Sequence, residues 1–349
     1  MKQAILFAAL LALSVESAMS QSANYTATRD RVDGVEVIRL ADQARHMEVS
    51  IAPALGNNAY RMKVNGQDVF WSPIASPAEL KAKPRMMGNP FLAPWANRID
   101  GDAYFANGKR YLLNPALGNY RTDPNGLPIH GLLVYAPAWK VAVLKANAKE
   151  AVLTSRLEFW RYPDWMAQFP FAHNIEMTYR LAEGRLEVET VIENVSAEPM
   201  PVSVGYHTYY RIGDAPRDDW RVTLAGRERL VLSKLLVPTG ASVPVEDRGP
   251  LSLGATKLDD LFGRLIRDPQ GRAVFSVAGA KQKISVAFGP KYTIGVVYAP
   301  PGEDFICFEP MSGPTNAFNL AHSGAYAALQ SIPPGEVWRE SFWITPENY

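Results

Sequence analysis

The chain is poor in cysteine, with Cys307 as its single one among 349 residues. A disulfide within the chain is therefore excluded, and the fold has to be stabilised by burial of apolar surface, for which a chain of this length is sufficient. Cys307 lies in the apolar run Phe305-Ile306-Cys307-Phe308, which indicates a small buried hydrophobic side chain. A catalytic thiolate at this position would need a histidinium or another cation next to it.

An excess of charge of either sign is also missing. The 36 Lys and Arg residues against 35 Asp and Glu residues give a formal net charge of +1. This balance provides no basic field for a nucleic acid and no acidic tail. The composition therefore favours a small, uncharged or weakly charged partner and gives no indication of nucleic-acid binding.

After its first 20 residues the sequence has no apolar run long enough to span a bilayer. Residues 1–20 follow the pattern of a secretory signal peptide, with a charge at Lys2, an apolar stretch from Ala4 to Leu13 and the small-residue site Ala18-Met19-Ser20. That stretch is shorter than the ~20 residues of a membrane span. We expect cleavage near Gln21, a mature protein that is periplasmic or secreted, and no membrane association after cleavage.

Signals for helix are scarce, whereas signals for strands recur along the chain. Apolar and polar residues alternate over residues 186–193, which is typical of a half-buried strand. Residues 141–146 with 151–159, and 273–278 with 283–288, flank polar turns and predict hairpins. The capping box Ser76-Pro77-Ala78-Glu79 predicts one short helix. Together these signals predict an all-β fold, a large antiparallel β-sandwich with very little helix, formed by residues 21–349 as a single domain.

One carboxylate ends an otherwise apolar run at Phe308-Glu309-Pro310. A lone Glu is costly to bury, so it either finds hydrogen-bond partners or takes part in chemistry. Two upstream segments supply candidate partners, His130 and His207. Two histidines and a carboxylate are enough for general acid–base catalysis on a neutral substrate. No two histidines lie at ligand spacing on one element, so we do not expect a zinc site.

The order and wording of four stretches resemble the aldose 1-epimerase (galactose mutarotase) family. Together they cover the chain from about residue 85 to about residue 315. The four stretches are residues 89–99 (NPFLAPWANRI), His130-Gly131, Phe169-Pro170-Phe171 leading to His207-Thr208-Tyr209-Tyr210, and Phe308-Glu309-Pro310.

The resemblance implies a galactose mutarotase-like supersandwich that interconverts the α and β anomers of a free aldose. It implies that Glu309 is the base at the anomeric hydroxyl, that His207 is the acid at the ring oxygen, and that His130 donates a hydrogen bond near that oxygen. It also implies that sugar hydroxyls are held by Asn97, Arg98 and Asp259. Such ring opening needs one acid and one base, so no metal, redox cofactor or nucleophile is expected. For work near neutrality, the pKa of His207 is expected to be raised by a nearby carboxylate such as Glu309 or Asp259.

The chain departs from the family pattern in two places. Thr208 stands where many members have Pro, and Val296 stands where many have a sugar-contacting Gln. The second change removes a polar contact, so the sequence leaves the identity of the sugar open, together with the oligomeric state and the pathway served.

Two other functions remain open at this point. One is a carbohydrate-binding protein on the same fold that has lost turnover, because such folds host several functions. The other is a polysaccharide lyase or hydrolase on a related scaffold, for which Glu309 and Asp259 would be the two carboxylates. In either case the histidine motifs would go unused.

Overall fold

The computed structural model describes residues 24–349, so the predicted signal peptide lies outside the described residues. Its three α-helices are each six residues long, and four single 3₁₀ turns accompany them. None of the helices among residues 24–349 has the length and apolar character needed to cross a membrane. The helices are α1 (Pro77–Ala82), α2 (Pro163–Gln168) and α3 (Ala317–His322), and the 3₁₀ turns are Gln43–Arg45, Pro115–Leu117, Phe159–Arg161 and Arg217–Asp219.

Strands make up most of the remaining structure. In chain order they are β1 (Tyr25–Val32), β2 (Val35–Asp42), β3 (Met47–Ala52), β4 (Asn58–Val64), β5 (Gln67–Asp68), β6 (Phe91–Leu92), β7 (Ala103–Ala106), β8 (Lys109–Leu112), β9 (Arg121–Thr122), β10 (Pro128–Ile129), β11 (Lys140–Ala146), β12 (Ala151–Glu158), β13 (His173–Ala182), β14 (Arg185–Asn194), β15 (Met200–Val202), β16 (Gly205–Tyr206), β17 (Thr208–Tyr210), β18 (Arg221–Thr223), β19 (Glu228–Leu232), β20 (Pro238–Pro244), β21 (Leu251–Ser252), β22 (Leu258–Gly263), β23 (Ala273–Ala278), β24 (Lys283–Phe288), β25 (Ile294–Ala299), β26 (Ile306–Met311), β27 (Gln330–Ile332) and β28 (Val337–Glu347).

Two large antiparallel sheets dominate the fold. One has nine strands in the order β11-β12-β13-β14-β28-β24-β23-β18-β21. The other has eight strands in the order β20-β19-β22-β25-β26-β16-β6, with β17 also paired to β26. A five-stranded sheet, β1 to β5, and three two-stranded ribbons complete the described part. The predicted all-β, antiparallel fold with very little helix is confirmed.

The local predictions made from sequence patterns are confirmed as well. Strands β11 and β12 form one hairpin, and β23 and β24 form another. Helix α1 begins after Ser76, whose hydroxyl accepts from the amide of Ala78 while the Glu79 carboxylate accepts from the amide of Ser76. These elements could be predicted because each one depends only on residues close in sequence.

The core lies between the two large sheets. Phe275 of the nine-stranded sheet contacts Phe308 of the eight-stranded sheet, with ring centroids 6.0 Å apart. Tyr206 and Phe342 meet across the same gap, with centroids 4.8 Å apart. Burial of such large aromatic side chains supplies much of the apolar area that stabilises a sandwich.

Alternation along β26 decides what faces the core and what faces away. Ile306 and Phe308 belong to the main core, whereas Cys307 and Glu309 point to the other side of the sheet, since successive side chains of a strand alternate. Strand β25 pairs with β26 on one edge, and β16 and β17 pair with it on the other. Glu309 therefore lies in the middle of the outer face of the eight-stranded sheet.

Candidate active site

A cavity of about 390 Å³ opens on this outer face. Its volume lies within the range of small-molecule sites. The six residues selected from the sequence all line it, although they come from five separate segments: Asn97, Arg98, His130, His207, Asp259 and Glu309.

Glu309 and His207 form a buried pair. The His207 Nε2 atom lies 3.2 Å from Glu309 Oε1, and only 10% and 2% of the two side chains are exposed. His207 sits between β16 and β17, and its amide donates to the carbonyl of Pro90 at 3.0 Å. The Tyr209 ring stacks on the imidazole at 4.8 Å with an interplanar angle of 18°. The ring of His207 is thus fixed in a plane that directs Nε2 at the carboxylate.

Burial dominates the electrostatics of this pair. Burial raises the pKa of Glu309 well above its ordinary value; the charge of Asp259 adds to this effect and Arg98 opposes it. Burial lowers the pKa of His207 to about 3. The expectation of a raised pKa for His207 is therefore wrong, because desolvation of the imidazolium dominates and the charges of Arg121 and Arg98 act in the same direction. The two groups together prefer a form without net charge.

His130 reaches the pocket from an unusual backbone conformation. It has a φ of +64°, its amide donates to the carbonyl of Asn97 at 2.9 Å, and its ring meets that of His207 edge-on at 5.4 Å. The next residue, Gly131, also has a φ of +64°, and a Cβ there would lie 2.1 Å from the carbonyl oxygen of Ala93. Glycine is therefore required for the loop to pack against the Ala93 backbone.

The imidazole of His130 is neutral. Burial lowers its pKa well below the ordinary value, and the positive charges of Arg121 and Arg98 and the nearby His207 act in the same direction. Its Nδ1 atom is buried and has no hydrogen-bond partner among the described residues. A neutral imidazole can still donate one hydrogen bond to a bound sugar.

Asp123 anchors Arg98, and the sequence did not reveal this contact. The Arg98 Nε atom donates to Asp123 Oδ2 at 2.8 Å, and 2% of the Asp123 side chain is exposed. Burial alone would raise the pKa of Asp123, but hydrogen bonds from Arg98 and from the amides of Leu127 and Asn125 hold it below the ordinary value. Arg98 is therefore held by a partner that is charged near neutral pH, which leaves its other donors to a ligand.

Asp259 and Asp260 point in different directions. Asp259 lines the pocket and lies exposed at its rim, beside Tyr298 on the paired strand β25. Asp260 instead forms an ion pair with Arg229 at 3.2 Å. The structure thus places Asp259, and not Asp260, at the cavity.

The pocket also contains residues that the sequence did not single out for a site. Tyr209 could have been selected from the sequence, because it belongs to the motif around His207. The Asp123-Pro124-Asn125-Gly126 string signals a turn but not its contact with a distant arginine. The apolar wall consists of Leu232, Leu236, Leu261 and Val296, and only Val296 carried a sequence signal, as a position where many family members have Gln.

One group of ligand-type atoms among the described residues could in principle hold a metal ion. The side chains of His207, Cys307 and Glu309 offer atoms that lie within 4.8 Å of one another. Burial and the charges of Glu309 and Asp259 raise the pKa of the Cys307 thiol well above its ordinary value. A metal would have to displace this proton and would occupy both members of the His207–Glu309 pair. The group therefore fits proton transfer better than metal binding.

The arrangement can move protons at two points of one small ligand. Glu309 and His207 lie side by side, and both line the cavity. One of them can accept a proton while the other donates one, so a neutral ligand can exchange protons at two of its oxygens without a net change. The Glu309 Oε2 atom has no partner among residues 24–349 and remains available to a ligand.

Sequence comparisons find relatives with a shared description. A family model described as aldose 1-epimerase matches residues 36–345. The uncharacterized protein YihR of Escherichia coli K12 is 26% identical over 240 residues, which cover 65% of this chain and 70% of YihR. The galactose mutarotase of Mus musculus is 29% identical over 174 residues, which cover 47% of this chain and 46% of the mouse protein.

Comparisons with solved structures agree on the fold. A galactose mutarotase-like protein from Clostridium acetobutylicum superimposes with a TM-score of 0.81 at 21% identity, covering 93% of this chain and 99% of that one. A GalM/aldose epimerase homologue from C. elegans has a TM-score of 0.67 at 16% identity, covering 87% of this chain and 96% of that one. The predicted galactose mutarotase-like fold is thereby confirmed.

Proposed function

We propose that this chain, which belongs to the aldose 1-epimerase family, interconverts the α and β anomers of a free aldose. The observation that supports this most is the buried contact of 3.2 Å between His207 and Glu309 at a cavity of small-molecule size. A protein that only binds sugars has no need for such a pair. The reaction needs one acid and one base beside each other, which this pair supplies.

The proposed reaction begins with proton transfer at two oxygens of the sugar ring. Glu309 takes the proton of the anomeric hydroxyl while His207 gives a proton to the ring oxygen. The bond between carbon-1 and the ring oxygen breaks, its electron pair stays on that oxygen, and the carbonyl forms at carbon-1. Rotation about the C1–C2 bond and the reverse transfers close the ring on the other face.

The proton count of the pair fits this cycle. With the ring open, Glu309 is protonated and His207 is neutral, which is the form that burial favours. With the ring closed, the same single proton lies on His207. The two forms differ by one proton moved within the pair, so the pair carries no net charge in either. Each group contributes about 10²–10⁴-fold to the rate in such a role.

The remaining polar residues are proposed to hold the sugar. Arg98, fixed by Asp123, and Asn97 would bind hydroxyls at one end of the cavity, and Asp259 would bind one at the rim. His130 would donate a hydrogen bond near the ring oxygen. Because hydroxyl recognition uses several donors and acceptors in a fixed arrangement, it can orient the sugar without any cofactor.

Polarimetry of freshly dissolved single anomers tests the proposal. Purified protein should speed the approach to the equilibrium rotation for at least one common aldose and leave the equilibrium itself unchanged. A parallel assay follows new reducing ends from polysaccharides. Release of such ends without anomer interconversion would favour a hydrolase or lyase, whereas sugar binding without either activity would favour a non-catalytic binding protein.

We also propose export from the cytoplasm, on the basis of the charge, apolar stretch and small-residue site within residues 1–20. Mass spectrometry of protein expressed with this segment should find a mature terminus near Gln21 in the periplasm or medium. An intact Met1 on cytoplasmic protein would contradict export.

A further inference from the structure

Val296 lies directly beside Glu309 on the sheet face that carries the cavity. The register pairs Val296 with Glu309 across β25 and β26, and pairs Leu261 with Val296 across β22 and β25. Directly paired residues project to the same face, and neighbouring strands lie about 4.8 Å apart. Leu261, Val296 and Glu309 therefore form one straight row across the sheet.

His207 lies on the opposite side of Glu309 from Val296. It connects β16 to β17, and both of these strands pair with β26 on the edge away from β25. The order across the sheet is thus Val296, then Glu309, then His207.

This order matches the order of atoms in an aldose ring. In the proposed reaction, on which this inference rests, Glu309 acts at the anomeric hydroxyl on carbon-1 and His207 acts at the ring oxygen. Carbon-1 is bonded to the ring oxygen on one side and to carbon-2 on the other. With the ring oxygen towards His207, carbon-2 lies towards Val296.

The surroundings of that position are apolar. Val296 and Leu261 belong to one buried apolar cluster, Leu232 packs against it, and all three line the cavity. Asp259 lies in the neighbouring row, paired with Tyr298, which makes it a diagonal neighbour of Val296. Diagonal positions are about 7–8 Å apart, with the Cβ atoms somewhat closer, so Asp259 stands beside Val296 and its carboxylate is not placed directly over it.

We propose that the cavity prefers 2-deoxy aldoses, with Val296 as the residue that sets this preference. A hydroxyl on carbon-2 would be desolvated against Val296 and would gain no hydrogen-bond partner there. A buried hydroxyl without a partner weakens binding by about 5-fold or more. A hydrogen at carbon-2 instead places apolar surface against Val296 and Leu261.

The test compares matched sugars, namely glucose with 2-deoxyglucose and galactose with 2-deoxygalactose. The value of kcat/KM for each sugar is divided by its spontaneous mutarotation rate constant, which removes differences in intrinsic reactivity. For the wild-type protein we expect a preference of about 5-fold or more for the 2-deoxy sugar of each pair. An equal rate, or a preference for the parent sugars, would overturn the inference.

Two variants at one position separate polarity from size. Val296→Thr adds a hydroxyl at nearly the same volume and should shift the preference towards the parent sugars by about 5-fold. Val296→Ala opens space without adding a polar group and should keep the preference for the 2-deoxy sugars. Equal shifts in the two variants would count against the proposed role of Val296. If Val296→Thr does not fold, the wild-type ratios decide.

Failure of the reaction and failure of the preference can be told apart. If no aldose is interconverted, the proposed function is wrong, and calorimetric binding of the same four sugars to the wild-type protein then decides on the cavity. Tighter binding of both 2-deoxy sugars would support an apolar carbon-2 site, and tighter binding of the parents would exclude it.

Discussion

At the scale of single residues, the site depends on the number of protons that Glu309 and His207 hold between them. Adding a second proton to the pair would create a net positive charge, and removing the single one would leave a net negative charge. Both changes are opposed by burial, which lowers the pKa of His207 and raises that of Glu309. The pair is therefore stable with one proton over a wide pH range.

Substitution of Glu309 by Gln should abolish turnover and increase stability. The amide keeps the shape but cannot accept a proton, so we expect kcat/KM to fall by about 100-fold or more. Burial raises the pKa of Glu309 in the folded protein above its pKa of about 4.3 in the unfolded chain. The folded protein therefore has its full stability below that unfolded pKa and loses part of it as pH rises and the buried carboxyl ionises. The Gln variant escapes that loss, so its free energy of unfolding at pH 7 should exceed the wild-type value.

Polarimetry and denaturant unfolding of the same preparations check both parts. His207→Asn should also lose most of the rate, and the double variant should be no slower than the slower single variant, because both groups serve one transition state. Wild-type turnover in the Gln variant would show that Glu309 is not the base.

The pH profile of kcat/KM should be a broad bell. Its acidic limb reports uptake of a second proton by the pair, and burial moves it below the ordinary histidine pKa. Its basic limb reports loss of the single proton, and burial moves it above the ordinary glutamate pKa. The two limbs belong to the coupled pair rather than to either residue. Rates measured across this range in His207→Asn should lack the wild-type shape; an unchanged basic limb would move the role to His130.

At the scale of elements, β26 illustrates what can be predicted from local sequence. The apolar run ending at Glu309 indicated burial, and alternation along a strand then requires Phe308 and Glu309 to face opposite sides. Hairpins and the α1 cap were equally local. The pairing of Val296 with Glu309 and the contact of Arg98 with Asp123 were not, because neither strand register nor a contact across a loop is set by one segment alone.

The sign of the pKa change at His207 was missed for a related reason. A neighbouring carboxylate can be inferred from motifs, but the degree of burial depends on strands β16, β17 and β26 packing together. The six candidate side chains all line one cavity. The motifs therefore carried enough information to select them. Their protonation depends on desolvation, which becomes visible only in the folded structure.

Gly131→Ala should disturb the site through the backbone. The added Cβ would meet the Ala93 backbone at 2.1 Å at a φ of +64°, so the loop must shift and His130 with it. We expect kcat/KM to fall by about 100-fold, the typical result of a 1 Å displacement. Gly101→Ala is the matched control, since Gly101 has a φ of +80° and nothing within 4 Å of the added carbon. It should lose about 1–2 kcal/mol of stability and keep its activity. Similar activity in both variants would contradict the role of the Ala93 contact.

At the scale of the whole molecule, two packed sheets separate stability from function. The aromatic core between them is continuous, whereas the cavity lies on the outer face of the eight-stranded sheet. Substitutions on that outer face can therefore alter the chemistry without opening the core. This separation is consistent with a chain that has a single cysteine and relies on burial for its stability.

The near-neutral charge of the whole molecule predicts a weak response to salt. A net charge of +1 gives little long-range field, and a neutral aldose has no charge to be steered. The Arg98–Asp123 pair in the cavity is largely buried and therefore poorly screened. Between about 0.02 M and about 0.5 M salt, kcat/KM for the neutral aldose should change by less than about twofold. Assays with a sugar acid or sugar phosphate alongside serve as the comparison. A steep fall with salt, together with faster turnover of the charged sugar, would show that the natural substrate is anionic and that Arg98 binds its charge.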